Sequence, residues 1–492
     1  MRKQTKILVA TALLALGASF TSMAAAKTGT WMLEDDGWYC YDKDGDAYED
    51  EFCLSYGKEY YMGSDGLMVT SSWVEYENDL YYVGSDGSKT INDWRYVAPE
   101  ADEDAEEEWF YFGTTGKMVK GKKVIDGKTY YFDDEGVMLT GWVSYVAKKA
   151  EPAILGEDVA NLVYCDENGA RVASTWVETF VPGTAEEDQE DADLFWYWIK
   201  SKGGVQTGKN NDINGETYYF NADGQMCYGF VIGQDTDTDG KLDNFYSANG
   251  EDAESLSGKT VFFCGNDDQG WSKKNKWIKT WAPADFDDQD SDASQYWYYL
   301  NKNGEIFAPA VADASAANAM TFVNGDTPLT IPGTDSNACF KEISKKTYAF
   351  NEEGQMLSGL ILIDDAELYY FGGEDDGAMK TGDVMIADED DYEYKFFFGE
   401  KTDAVKGYKK GVAVTGNADG ELYIDGQLRT ADDKFEKVHV EALDKWFLID
   451  EDGDIRTSKK IYKDSDDVVV LDATVEGFTF DASTKKVING SF

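Results

Sequence analysis

The sequence predicts an all-β protein, a solenoid-like array of stacked β-hairpin repeats that carry extended acidic hairpin loops. Three observations lead to this prediction. A short aromatic pattern recurs along the chain, a glycine closes each copy, and no long segment lies outside the copies. Aromatic residues make up 14% of the chain, so that even short repeats can each contribute several large apolar side chains.

The repeat unit is clearest at Tyr130–Met138, which reads YYFDDEGVM. Its aromatic residues alternate with exposed positions at a period of two, which indicates a strand. Asp133 precedes Gly136 by three residues, a spacing that predicts a type I turn followed by a left-handed glycine. Met138 then begins a return strand. The pattern returns at 60–68, 110–118, 218–226 and 348–356, in a longer copy at 369–379, and in weaker copies at 81–89, 163–171, 197–205, 298–306 and 447–455.

Stacking is required because one hairpin alone is marginally stable in water. Copies that pack side by side bury a continuous aromatic seam, which gives the array a core that no single unit has. The whole of residues 27–492 is therefore predicted to be one array of such hairpins.

Three acidic inserts interrupt the pattern, at residues 100–108, 186–193 and 285–292. Each lies between an upstream tryptophan and an aromatic cluster. We interpret them as long hairpin loops with solvated tips; collection of calcium or contact with a partner is the alternative.

The first 26 residues are predicted to be a signal peptide. Arg2, Lys3 and Lys6 form a positive start, an apolar run spans residues 7–20, and alanines at 24–26 form a small-residue cleavage site. The run is too short to span a bilayer, so no membrane insertion is expected. Export predicts a secreted protein.

The formal net charge of −50 restricts the partners. A phosphate backbone needs a positive counter-surface, so a nucleic-acid partner is excluded. Anionic membranes are disfavoured for the same reason. Cationic ligands and neutral sugars remain.

Few residues point to catalysis. His439 is the only histidine and lies in an alternating strand pattern, which argues against Ser–His or Cys–His nucleophilic chemistry and against histidine-rich zinc sites. The acidic residues fall mostly in turns rather than in a concave site, which argues against glycoside hydrolysis by paired carboxylates. We therefore expect that the protein is not an enzyme.

The six cysteines match no metal motif. Export favours disulfides or buried thiols. Cys40 and Cys53 lie in adjacent hairpins, close enough to pair, while Cys165, Cys227, Cys264 and Cys339 are expected to be small apolar residues on strand faces.

One segment matches a calcium loop. Asp235, Asp237 and Asp239 occupy positions 1, 3 and 5, Gly240 occupies position 6, and Asp243 occupies position 9. Tyr246 stands at position 12, where such loops have a bidentate glutamate. Calcium is the one cofactor candidate, and a merely acidic turn is the alternative.

The segment 126–142, DGKTYYFDDEGVMLTGW, resembles the cell-wall/choline-binding repeat family. Related families are the glucan-binding repeats of glucosyltransferases and the receptor-binding repeats of clostridial toxins. The resemblance extends over about residues 30–490, and it implies a place on the cell wall or cell surface of a Gram-positive-type bacterium. It departs from the choline-binding pattern at Thr129, where those members often have tryptophan, and an unbroken Gly-Trp junction followed by a tyrosine-rich strand remains only at Gly141-Trp142.

The resemblance implies that a trimethylammonium group is held between three aromatic rings, two from one repeat and one from the next. Ring faces hold such a cation because it cannot donate hydrogen bonds. The alternative for every ring is plain core packing. The candidate cages are Trp94 with Trp109 and Tyr131, Trp142 with Tyr164, Trp176 with Trp196 and Tyr219, and Trp281 with Trp297.

The predicted function is non-enzymatic binding of cell-wall polymers, either choline-bearing teichoic acid or glycan, through aromatic sites between repeats. An adhesin that binds glucan or host glycans by aromatic stacking is the alternative.

Overall fold

The computed structural model confirms the predicted all-β class of stacked hairpins: its described residues form β-strands and four 3-10 turns. The described residues are 26–102, 105–288, 292–308, 339–363, 367–388, 390–481 and 485–486, together with the backbone alone of strands at 8–9, 319–324, 327–332 and 487–489. Of the predicted leader, residues 1–26, only strand Leu8–Val9 and Ala26 fall within them. In this part of the chain no helix has the length and apolar character needed to cross a bilayer.

The chain divides into two compact units, the first comprising Met1–Thr207 and Ala222–Met226. Its short antiparallel sheets follow one another in chain order. They are Leu8–Val9 with Thr30–Leu33 and Trp38–Tyr41; Glu51–Ser55 with Lys58–Met62; Ser72–Tyr76 with Asp79–Val83; Asp93–Val97 with Glu108–Phe112; Gly121–Ile125 with Lys128–Phe132; Gly141–Val146 with Lys149–Pro152 and Leu162–Cys165; and Thr175–Thr179 with Phe195–Ile199. Two 3-10 turns, Val159–Asn161 and Glu186–Asp188, lie in its loops.

The second unit comprises Gly208–Asn221 and Cys227–Phe492. Its first sheets have two or three strands: Gly208–Ile213 with Glu216–Phe220; Phe230–Gln234 with Asn244–Ser247 and Thr260–Phe263; Lys276–Trp281 with Gln295–Leu300; Ala319–Asn324 with Thr327–Pro332; Cys339–Ile343 with Lys346–Phe350 and Met356–Leu357; and Leu360–Ile363 with Glu367–Tyr370. Two 3-10 turns, Pro283–Asp285 and Glu441–Leu443, belong to this unit.

Larger sheets form toward the end of the second unit. The five-stranded sheet has the order Gly382–Ala387, Glu393–Phe398, Gln427–Leu428, Glu421–Ile424, Gly416–Ala418, and the four-stranded sheet has the order Phe435–Val440, Lys445–Asp450, Val487–Asn489, Thr479–Phe480. A last hairpin pairs Ile461–Lys463 with Val469–Asp472. The sequence did not indicate these larger sheets, because the worn copies there lose the regular spacing.

The main hairpin of a repeat closes before its tyrosine strand, not after it. Gly121–Ile125 pairs with Lys128–Phe132 over five residues. Asp126 and Gly127, with φ of 48° and 81°, form the tight turn between them. Two positive φ angles define the turn type whose twist matches paired strands. The predicted return strand after Gly136 is correspondingly short, since Met138 makes a single bridge to Phe132.

The turn at the recurring spacing of aspartate and glycine has the predicted geometry. Gly136 donates its N–H to Asp133 O at 3.2 Å, and Asp133 donates to Val137 O at 3.0 Å. Gly136 has a φ of 87°. The Asp133 carboxylate accepts the N–H groups of Glu135 at 3.0 Å and Val137 at 2.8 Å. These two hydrogen bonds to the side chain stabilise the turn, which explains why Asp or Asn recurs at this position.

The three acidic inserts replace the tight turn of three hairpins, as predicted for long hairpin loops. They join Asp93–Val97 to Glu108–Phe112, Thr175–Thr179 to Phe195–Ile199, and Lys276–Trp281 to Gln295–Leu300. The third insert is also anchored: Phe286 is buried, with its ring 5.8 Å from Phe230 and 5.7 Å from Phe263.

Candidate aromatic ligand sites

The first candidate site lies at Trp94. Its ring centre is 6.3 Å from that of Trp109, with the planes at 86°, and 5.0 Å from that of Tyr111. The following hairpin contributes Tyr130 at 5.1 Å. Four rings from two consecutive hairpins therefore meet here, and Trp109 is 44% exposed, so the group opens to solvent.

Strand register explains this grouping. Trp94 lies directly opposite Tyr111, which places Trp109 diagonally across on the same face. The strand begins after Asn92, which has a φ of 51° and donates its N–H to Gly113 O at 3.0 Å.

The third ring is Tyr130 and not the predicted Tyr131. Successive side chains point to opposite faces of a strand. Tyr131 therefore faces away from Trp94, is 1% exposed, and packs its ring 5.0 Å from that of Tyr145.

A second tryptophan pair repeats the same geometry. Trp176 and Trp196 lie 6.3 Å apart with their planes at 89°, and Trp198 lies 5.3 Å from Trp176. Trp176 is opposite Trp198 in the register, as Trp94 is opposite Tyr111. The predicted partner Tyr219 belongs to the second unit, where it is fully buried and stacks on Phe262 at 4.6 Å.

The third predicted pair is arranged differently. Trp297 lies opposite Lys279, and Trp281 lies opposite Gln295. The position equivalent to Trp94 is taken by Trp277, which faces Tyr299 at 5.2 Å and has the next hairpin's Tyr348 at 4.9 Å. The sequence did carry a signal for Trp277: it follows Asn275, a left-handed residue with a φ of 50°, at the same spacing as Trp94 follows Asn92.

In each tryptophan pair, the second tryptophan lies on the strand that follows an acidic insert. Trp109, Trp196 and Trp297 are each the second or third residue of the strand that follows an insert. Hairpins with a tight turn have other residues at the equivalent register position, namely Leu80, Thr129 and Thr217.

An acidic side chain precedes Trp109 on the same strand. Glu108 lies on the strand face opposite to Trp109, and its pKa is raised by partial desolvation and by the nearby carboxylates of Glu106 and Asp133.

The predicted pair Trp142 and Tyr164 does form, at 5.1 Å between ring centres. Trp142 is, however, 9% exposed, contacts Tyr197 at 4.9 Å, and donates its indole N–H to Phe180 O at 3.0 Å. These contacts match the core-packing alternative.

The candidate calcium loop brings together three of its four predicted ligands. Carboxylate oxygens of Asp235, Asp237 and Asp239 lie within 4.8 Å of one another. Asp243 is instead bound to Thr236, whose N–H and hydroxyl donate to it at 2.9 and 2.7 Å, and these bonds lower its pKa.

The cysteines and the histidine lie on strands or in the core. All six cysteines are thiols, and Cys40 and Cys53 are buried side by side and hydrogen-bond each other. That hydrogen bond and burial raise the pKa of Cys53. His439 lies exposed on strand Phe435–Val440, as predicted, 3.3 Å from the Asp444 carboxylate.

The geometry defines a class of protein: an array of stacked aromatic hairpins with ring groups between successive repeats. Three segments, 122–138, 211–226 and 293–306, match the family model described as "Putative cell wall binding repeat". The chain therefore carries repeats of the cell wall binding family, as the resemblance of its sequence indicated.

The chain is similar over part of their length to known proteins. Glucosyltransferase-S of Streptococcus mutans serotype c is 27% identical over 242 residues, which is 41% of this chain and 14% of the relative. Glucosyltransferase-I of Streptococcus downei is 24% identical over 455 residues, 84% of this chain and 25% of the relative. The chain thus spans a quarter or less of these relatives. The crystal structure of choline binding protein F from Streptococcus pneumoniae is 18% identical, with 71% of this chain and 98% of that chain covered and a TM-score of 0.35.

Proposed function

We propose that the protein is a secreted, non-enzymatic surface protein that binds choline-bearing polymers of the bacterial cell wall. Its array of hairpins, residues 27–492, presents the ligand sites. The observation that supports this proposal is the perpendicular tryptophan pair found at Trp94–Trp109 and again at Trp176–Trp196, each beside an acidic insert.

The geometry favours a cation over a sugar. The two indole planes lie at nearly 90° in an edge-to-face contact, and the exposed part of Trp109 would add ring surface against which a compact trimethylammonium group packs. Each such contact contributes about 0.5–2 kcal/mol, rising as the site is desolvated. A sugar ring stacks best on one flat, open face. The acidic inserts and the net charge of −50 further attract the cationic choline groups.

Several weak sites on one chain suit a polymer that carries many copies of the ligand. Binding at one site raises the effective concentration of ligand at the next, so that the chain is held far more tightly than by either site alone.

Affinity chromatography tests the proposal. The mature protein should be retained on a choline-substituted resin in 0.15 M NaCl and released by free choline. Free ethanolamine, which lacks the three methyl groups, should release it only at higher concentration. Passage through the choline resin without retention would contradict the proposal.

The alternative function is an adhesin for glucan or host glycans. The observation that favours it is the large exposed face of Trp109, 44% exposed, on which a sugar ring could stack. Retention on cross-linked dextran that free choline does not disturb would support this alternative and oppose choline binding.

A further inference from the structure

One aromatic site of the first unit already contains a cation of the chain itself. The Lys89 ammonium nitrogen lies 4.8 Å from the ring centre of Phe52 and 5.4 Å from that of Tyr81. The Lys89 side chain is 3% exposed and forms an ion pair with Glu59. These rings belong to two consecutive hairpins, Glu51–Ser55 with Lys58–Met62 and Ser72–Tyr76 with Asp79–Val83.

Lys89 stands at a position where neighbouring repeats have methionine. It makes the single bridge to Val83 that Met118 makes to Phe112. Its stem also packs as a methionine does: a Cβ on Gly116, the turn glycine of the next repeat, would lie 3.0 Å from Lys89 Cδ and Cε. The methylene stem therefore supplies the packing, and the ammonium group is what lysine adds.

A second internal cation lies at the third tryptophan. The Lys279 ammonium is 5.9 Å from the ring centre of Trp297 and 2.7 Å from the Asp375 carboxylate. The same carboxylate oxygen accepts the Trp297 indole N–H at 3.0 Å. Lys279, Asp375 and Trp297 thus form one connected group at the surface, in which the lysine occupies the place beside the ring that, among the described residues, no lysine occupies at Trp109.

We propose that Lys89 and Lys279 are internal ligands, whose ammonium groups fill two aromatic sites and so withhold them from ammonium ligands outside the chain. The Lys89 ammonium is buried and therefore costly without a countercharge, which Glu59 supplies, whereas the side chain of Lys279 is 30% exposed and pairs with Asp375. The inference rests on the proposed function. It limits the sites that bind ligands from outside the chain to junctions such as Trp94–Trp109. The lysines also indicate the ligand class. A site that accommodates the primary ammonium group of a lysine has a charge and a size that suit other small ammonium groups.

Chemical rescue tests the site at Lys89. Lys89→Ala removes the ammonium and leaves space between Phe52 and Tyr81, whereas Lys89→Met refills the space with the residue of the neighbouring repeats. At 0.1 M methylammonium chloride, the melting temperature of Lys89→Ala should exceed its value in 0.1 M NaCl by about 2 °C, by mass action on the native state. The wild type and Lys89→Met should melt equally in the two salts. Equal melting of Lys89→Ala in both salts would overturn the assignment of Lys89.

Counting choline sites tests Lys279, whose substitution leaves the buried core untouched. Equilibrium dialysis should find one more choline bound per chain in Lys279→Ala than in the wild type. The double variant Lys279→Ala with Trp297→Ala should return to the wild-type number. An unchanged number in Lys279→Ala would overturn the assignment of Lys279.

The two proposals fail separately. A wild type that binds no choline, together with rescue of Lys89→Ala by methylammonium, would remove the proposed function and keep the internal ligand. A wild type that binds choline at Trp109, with neither rescue nor an added site, would remove only the internal ligands.

Discussion

The side chain of Met138 lies directly beneath Gly169, the turn glycine of the next repeat, so closely that a Cβ at this glycine would overlap the methionine sulfur. The backbone N–H of Met138 meanwhile donates to Trp109 O of the preceding hairpin at 2.8 Å. One residue therefore connects three successive hairpins. The same contact of methionine with the next turn glycine recurs at Met68 with Gly87, Met118 with Gly136, Met356 with Gly377, and Met379 with Gly411.

Because of this contact, we expect substitution by alanine to destabilise the fold to different extents at two glycines whose φ angles are similar. Gly127 and Gly169 have φ of 81° and 76°, but a Cβ at Gly127 meets nothing within 4 Å. Gly127→Ala should lower the free energy of unfolding by about 1–2 kcal/mol through the left-handed backbone alone. Gly169→Ala should cost about 1–3 kcal/mol more, because the methionine must move. Urea denaturation measures both, and equal losses would show that stacking does not depend on this contact.

The calcium loop supplies a second prediction. We propose that Asp235, Asp237 and Asp239 bind calcium without Asp243. Millimolar Ca²⁺ should then raise the melting temperature of the wild type by mass action. Asp237→Ala with Asp239→Ala should abolish this rise, and Asp243→Ala should keep it, since Asp243 is engaged by Thr236. A rise that survives the first variant would indicate general screening of the negative charge.

Salt dependence is a third prediction, and it follows from the net charge of −50. Like charges repel over about 8 Å at physiological ionic strength and about 30 Å at 0.01 M. Stability should therefore rise between 0.01 and 0.15 M NaCl. Replacement of the acids in the three inserts by Asn and Gln should flatten this rise, measured by thermal melting, and should leave binding to a choline resin in place. Loss of binding with an intact fold would instead place ligand recognition in the inserts.

The two adjacent thiols give a fourth prediction. Cys40 and Cys53, which touch in a buried cluster with Trp31 and Met62, should form a disulfide when the protein is exported to an oxidising compartment. Closing this short loop should stabilise the fold by about 3 kcal/mol. Alkylation under denaturing conditions, followed by mass spectrometry, should modify four cysteines in the exported protein and six after reduction. Six modified cysteines without reduction would rule out the pair.

The hairpin fold was predictable because its signals are local. Alternating aromatic residues and the pair Asp133 and Gly136 act within a few residues of one another, and the structure shows both as expected. The larger sheets near the end of the chain were not predictable, since Phe396 pairs with Gln427 across a long connection. Strand pairing between residues so far apart along the chain produces no periodic pattern in the sequence.

The ring groups were predicted only in part, because membership depends on strand face and register. A shift of one residue moves a side chain to the other face, so Tyr130 and Tyr131 were indistinguishable by spacing. The predicted partner Trp281 adjoins the insert, whereas the register depends on the left-handed Asn275 upstream and places Trp277 opposite Tyr299. Lys89 occupies the methionine position of a repeat, but its contact with the rings of Phe52 and Tyr81 depends on how consecutive hairpins pack.

The most direct test of the proposed choline sites is to count the choline molecules that tryptophan variants bind in equilibrium dialysis at 0.15 M NaCl. Trp109→Ala and Trp196→Ala should each remove one bound choline, and the double variant should remove two, with the β-structure seen by circular dichroism unchanged. Trp142→Ala serves as the matched control: it should lower the melting temperature, since Trp142 is buried, and leave the number of bound cholines as in the wild type. A double variant that is folded and binds as much choline as the wild type would contradict the assignment of these tryptophan pairs as the ligand sites.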